Sequence, residues 1–105
     1  MDANREFFCL LTPTRPNMHG TITAEEGEIF GRHAEYLQEK FRNKEVLQAG
    51  TSFERDQDHF AIVILTAPNK QAAVDLICDD PAVARGLLSA RVTEYNIFLD
   101  RGLSN

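Results

Sequence analysis

Two stretches of this 105-residue chain, Phe7-Phe8-Cys9-Leu10-Leu11 and Ala61-Ile62-Val63-Ile64-Leu65, are apolar at odd and even positions alike. A strand sends alternate side chains to opposite faces, so a strand in a sheet covered on one side alternates apolar with polar. These two do not, and the sheet they join must be buried on both faces. A chain of this length makes one domain, residues 1–105. One small domain has little material to cover both faces, so the second face calls for another copy of the chain.

The elements around these stretches follow from local signals. Glu6 to Thr12 reads as a first strand stopped by Pro13. Residues 12–21 hold two prolines, a glycine and an asparagine, a loop long enough to cover something. Thr23 with Glu26 is a capping box opening a helix from Ala24 to about Asn43, with Ile29, Phe30, Ala34, Leu37 and Phe41 at helical spacing. Val46 to Phe53 and Phe60 to Thr66 read as strands joined by a hairpin through Arg55-Asp56-Gln57-Asp58. Asn69 caps a second helix from Lys70 to about Asp79, with Ala72, Ala73, Leu76 and Ile77 facing inward. Pro81 to Leu88 reads as a short helical turn. Arg91 to Asp100 is the fourth strand, with Thr93, Tyr95, Ile97 and Leu99 on one face.

The order βαββαβ predicts an α+β ferredoxin-like fold, a four-stranded antiparallel sheet with both helices on one face. The uncovered face predicts a homodimer joined through its sheet faces, of the dimeric α+β barrel type.

Charge and composition exclude several function classes. Eleven basic against sixteen acidic residues give a net charge of -5 without a basic cluster, so no nucleic-acid partner is expected. The longest apolar run, Phe60 to Leu65, is far too short for a membrane span, and Met1 to Glu6 lacks a signal pattern, so the expected location is cytoplasmic with no membrane partner. Cys9 and Cys78 each sit among apolar residues and read as reduced core thiols. With only these two cysteines and the scattered His19, His33 and His59, no metal site is expected. No phosphate-binding glycine loop is present and no cofactor is expected.

Few residues remain that carry chemistry. His33 projects into the apolar arc of the first helix, with Ile29 and Tyr36 on one side of it and Leu37, Phe30 and Phe41 on the other, and with Glu26 and Lys40 seven residues to either side. A histidine there is either a hydrogen-bonded core residue or part of a site. Asp79 and Asp80 close the second helix against its dipole, which marks either function or, through Asp80-Pro81, an N-cap of the next short helix. The two readings are compatible, because a capping carboxylate can offer its second oxygen to an imidazole. Arg15, His19 and Arg32 either meet an anionic ligand or are solvated. Gly50 marks a bulge, a close backbone approach or plain turn chemistry.

Gly31-Arg32-His33-Ala34-Glu35-Tyr36-Leu37, Val46-Leu47-Gln48-Ala49-Gly50, Asp79-Asp80-Pro81-Ala82-Val83 and Gly86-Leu87-Leu88 together resemble the YciI-like, or YCII-related, family. The resemblance spans nearly the whole chain in the right order, although each matching piece is short. It implies a ferredoxin-like homodimer in which a helix histidine and the aspartate of an Asp-Pro step form the active-site pair, here His33 and Asp80. Ala82 stands where an aromatic residue often follows that step, and the Asp-Gly-Pro-Phe motif of a related subgroup is missing. One class in the family is associated with dehydrochlorination of an aromatic ring, an activity that these residues do not carry over.

The leading expectation is an enzyme in which His33, oriented by Asp80, is general acid or base toward a small organic ligand in a cleft, with Arg15, His19, Tyr36 and Gly50 as substrate-binding candidates. An imidazole suits the task because it exchanges protons near neutrality. The competing expectation is a non-catalytic metabolite-binding or accessory homodimer in which the pair is structural.

Overall fold

A computed structural model describes residues 4–54 and 58–101. Its first strand, β1, runs Arg5–Pro13 and is followed by a single 3-10 turn at Met18–Gly20. Helix α1 is Ala24–Arg42, and strands β2 and β3 are Val46–Thr51 and Ala61–Ala67. Helices α2 and α3 are Lys70–Cys78 and Pro81–Ala84, and strand β4 is Leu88–Tyr95. The hairpin turn expected at 55–58 lies largely outside the described residues.

The strands form one antiparallel sheet in the order β2-β3-β1-β4, a small α+β arrangement compatible with a ferredoxin-like fold. Cys9 lies opposite Val63 on one side and Val92 on the other. That register puts Phe7, Cys9, Leu11, Val63, Leu65 and Ala67 on one face, where they join Ile29, Ala73, Ile77 and Ala82 of the helices in a single core. Burying such side chains contributes roughly 1.5–3 kcal/mol each for the larger ones.

Local chemistry fixes the helix ends. The Thr23 hydroxyl accepts from the Glu26 amide at 3.1 Å and the Glu26 carboxylate accepts from the Thr23 amide at 3.0 Å, the expected capping box. Asn69 caps α2 by accepting from the Ala72 amide at 2.8 Å. Gly86, at φ 80°, ends the turn after α3 in the left-handed region that glycine enters without strain. The long loop is tied down: Met18 is buried in the core, and the Thr14 hydroxyl donates to the Gly86 carbonyl at 2.7 Å.

Several expectations are corrected. The fourth strand starts at Leu88, opposite Pro13, and stops at Tyr95, opposite Glu6, one residue short of the start of β1 at Arg5. Residues 96–101 leave the ladder, and Ile97 and Leu99 lie over the second face of the sheet near Phe8, Ile62 and Ile64. Ile64 is only 6% exposed although it belongs to that face. In α1, Ala34 and Phe41 are exposed; Leu37, Phe41, Val46 and Ala49 border an open groove of about 320 Å³ between the helix and β2. Cys78 is exposed and no core thiol, being about 100° around α2 from the buried Ile77. The irregularity in β2 falls between Val46 and Gln48, not at Gly50, where an added Cβ meets nothing within 4 Å. Among the described residues no helix is long and apolar enough to cross a membrane.

Candidate functional site

The Asp-Pro step does two things at once. Pro81 takes the first position of α3, where its missing N–H costs nothing, and Asp80 stands at the N-cap. Its Oδ1 accepts from the Ala82 amide at 3.1 Å, and its Oδ2 lies 2.6 Å from Nδ1 of His33 in the middle of α1. Asp80 therefore caps α3 with one oxygen and meets the His33 imidazole with the other. The Asp80 side chain is 0% exposed and that of His33 17%.

A carboxylate only accepts, so Nδ1 carries the proton and donates. The ring is also held edge-on by Phe30, with centroids 6.1 Å apart. No hydrogen bond engages Nε2 among the described residues. No buried side-chain nitrogen or oxygen there lacks a partner, so Nε2 reaches solvent. The arrangement is a buried carboxylate that fixes one imidazole tautomer and leaves the other nitrogen open to exchange a proton.

Tyr36 lies one turn further along α1. Its hydroxyl donates to the Leu76 carbonyl at 2.6 Å, which ties α1 to α2. Burial, with the carboxylates of Asp79 and Asp80 next in effect, pushes its phenol up to about 12. Tyr36 and Asp79 line a cavity of about 340 Å³ together with Lys40, Leu76 and Thr66. His33 and Asp80 do not line it, so the pair stands beside the cavity and not in its wall.

The remaining candidates separate from the pair. Arg15 is turned to Glu26, with Nη1 and Nη2 each 2.8 Å from a carboxylate oxygen and Nε 3.0 Å from the Thr21 hydroxyl. The paired guanidinium holds the Glu26 carboxyl down to about 2, with the Thr23 amide as second cause. Arg15 therefore fastens the long loop to the start of α1. His19 packs edge-on against His59 at 4.4 Å between centroids, and the Nδ1–H of His59 donates to the Glu54 carbonyl at 2.6 Å, which attaches His19 to the β2–β3 connection. Gly50 sits in the exposed part of β2. Arg32 is exposed. The polar line Glu26, His33, Lys40 also divides: Glu26 serves Arg15, and Lys40 pairs with Glu45 at 3.6 Å beside the Tyr36 ring.

Sequence reasoning missed the Leu76 carbonyl as the partner of Tyr36, since a backbone acceptor leaves no trace in residue identity. Among the described residues no group of three or more His, Cys, Asp or Glu side chains gathers as metal ligands would. No family model matches the chain, and no curated protein matches it significantly.

Proposed function

We propose that the protein is a small-molecule enzyme of the YciI-like, ferredoxin-like type in which His33 and Asp80 form a general acid/base pair. The observation that carries the reading is the 2.6 Å contact between His33 Nδ1 and a fully buried Asp80 carboxylate, with Nε2 left open. Asp80 orients the ring and stabilises the imidazolium, while Nε2 takes up or delivers the proton. The substrate is a small organic molecule held beside Tyr36, and the reaction is a proton transfer at one of its carbon or oxygen atoms.

Two copies pack their uncovered sheet faces together in this reading. Phe8, Leu10 and Ile62 on that face are half-buried, and Phe98 and Leu99 next to it are 82% and 81% exposed, which supports an apolar partner. Sedimentation equilibrium gives the stoichiometry directly.

The activity is tested by incubating wild type and His33→Ala with a panel of small cyclic and aromatic carbonyl compounds and following their consumption by NMR. Turnover of at least one compound by wild type, lost in a folded His33→Ala protein, supports the reading. Equal turnover by both proteins overturns it.

One observation favours the non-catalytic reading, a metabolite-binding or accessory homodimer: Asp80 already caps α3, and neither member of the pair lines the cavity beside Tyr36. There His33→Ala lowers stability and changes no activity.

A further inference from the structure

The second face of the sheet carries a feature that the acid/base pair does not use. After Tyr95 the chain turns across this face from β4 toward β2, and between it and the sheet lies a cavity of about 380 Å³. Its apolar wall is formed by Phe8, Ile62 and Ile64 from the sheet, Tyr95 at the end of β4, and Ile97 and Leu99 from the crossing segment. Phe8 and Tyr95 form a tilted aromatic pair with centroids 5.5 Å apart. The volume falls in the range of small-molecule sites.

Two polar side chains also line the cavity. The Gln48 amide and the Arg101 guanidinium make no hydrogen bond or ion pair among the described residues, whereas the neighbouring Asp100 already has a partner. An unpaired guanidinium beside an amide, at the rim of an apolar cavity, matches one planar anion attached to a hydrocarbon body. Arginine donates in a rigid fork suited to a carboxylate, and glutamine adds a further donor. A single cation suits a monoanion better than a multiply charged phosphate.

We propose that the cavity between residues 96–101 and the uncovered sheet face binds a small organic carboxylate with a ring or branched apolar body. Arg101 and Gln48 hold the carboxylate, and Phe8, Ile62, Ile64 and Tyr95 pack the hydrocarbon. The site lies across the sheet from His33 and Asp80 and does not depend on their role. In the face-to-face dimer the same cavity is enclosed between the copies.

The experiment is a titration of the full chain with benzoate, benzamide and acetate, followed by amide chemical shifts. The proposal predicts that benzoate saturates below about 1 mM with shifts centred on Phe8, Ile64 and Ile97, and that neutral benzamide and bodiless acetate bind about tenfold more weakly or worse. Arg101→Gln and Gln48→Leu, both on exposed side chains, weaken benzoate binding while His33→Ala leaves it unchanged. Three results overturn the proposal. One is no saturation by 10-fold higher benzoate, about 10 mM. Another is binding lost in His33→Ala and kept in Arg101→Gln, which moves the ligand to the acid/base pair. The third is an Arg101→Gln protein that binds benzoate normally but no longer dimerises, which makes Arg101 an interface residue.

Discussion

Asp80 reaches His33 across the α1–α3 boundary at 2.6 Å while its other oxygen caps α3 at 3.1 Å, so one buried carboxylate ties an imidazole to a helix start. The capping contact fixes the carboxylate, and the fixed carboxylate fixes the ring. Under the proposed acid/base role, function and architecture share the residue, and substitutions can separate the two.

Removing the imidazole strands the carboxylate. His33→Ala leaves Oδ2 of a fully buried Asp80 without its donor, and an unsatisfied buried acceptor costs about 1–3 kcal/mol, at the upper end for a carboxylate. Asp80→Asn retains an N-cap acceptor and the side-chain volume, so its loss stays near 1 kcal/mol. Urea denaturation of the two variants beside wild type is expected to rank them in that order. The reverse ranking means that the cap, and not the pair, dominates the energetics.

The Arg15–Glu26 link makes the loop-to-helix junction acid-sensitive. Glu26 is held down to about 2 from the ordinary 4.5, so its contribution to folding is fully present above 4.5 and is lost as the pH falls toward 2. Thermal melts of wild type and Glu26→Gln are expected to differ at pH 6 and to converge as the pH approaches 2. A constant difference across that window contradicts the assignment.

Tyr36 gives the opposite dependence at the alkaline end. Its phenol is raised from 10.0 to about 12, so the stability it contributes is complete below 10 and is lost as the pH rises through 12. In Tyr95→Phe, which leaves Tyr36 as the sole tyrosine, the phenolate absorbance of the native protein is expected to appear near pH 12. Its appearance near pH 10 without unfolding means that the Leu76 side of the phenol is open to water.

The two cysteines differ in reactivity. Burial, reinforced by the Cys78 thiol, pushes Cys9 up to about 12, whereas Cys78 lies exposed at the end of α2. A thiol reagent at neutral pH is expected to modify one cysteine in the native protein and both in denaturant. Peptide mapping that finds Cys9 labelled first contradicts the packing of β1 against the helices.

Where a local signal suffices, the sequence is legible. The capping box at Thr23 and Glu26, the Asn69 cap and the Asp80-Pro81 start of α3 each depend on two or three neighbouring residues, and each is found in place. The two-faced patterns of β1 and β3 fall on the two central strands of the sheet. The end of β4 was hidden because it depends on pairing with β1, which the pattern of residues 96–100 does not carry. At the candidate site, helical projection turned His33 inward, the dipole argument marked Asp79 and Asp80 together, and the following Pro81 assigned the cap to Asp80. The contacts of Arg15 with Glu26 and of His19 with His59 were not legible, because these partners lie in other elements whose orientation no local pattern fixes. Phe41 was placed inside because periodicity shows which face is apolar and not what covers it.

The acid/base account is tested most directly by kcat/KM of Asp80→Asn relative to wild type, with the compound that wild type consumes and with folding checked by the urea midpoint. The account predicts a loss of about a hundredfold or more, since the amide neither stabilises the imidazolium nor dictates the tautomer, in a protein that remains folded. Turnover within about twofold of wild type contradicts it and returns His33 and Asp80 to a purely structural role.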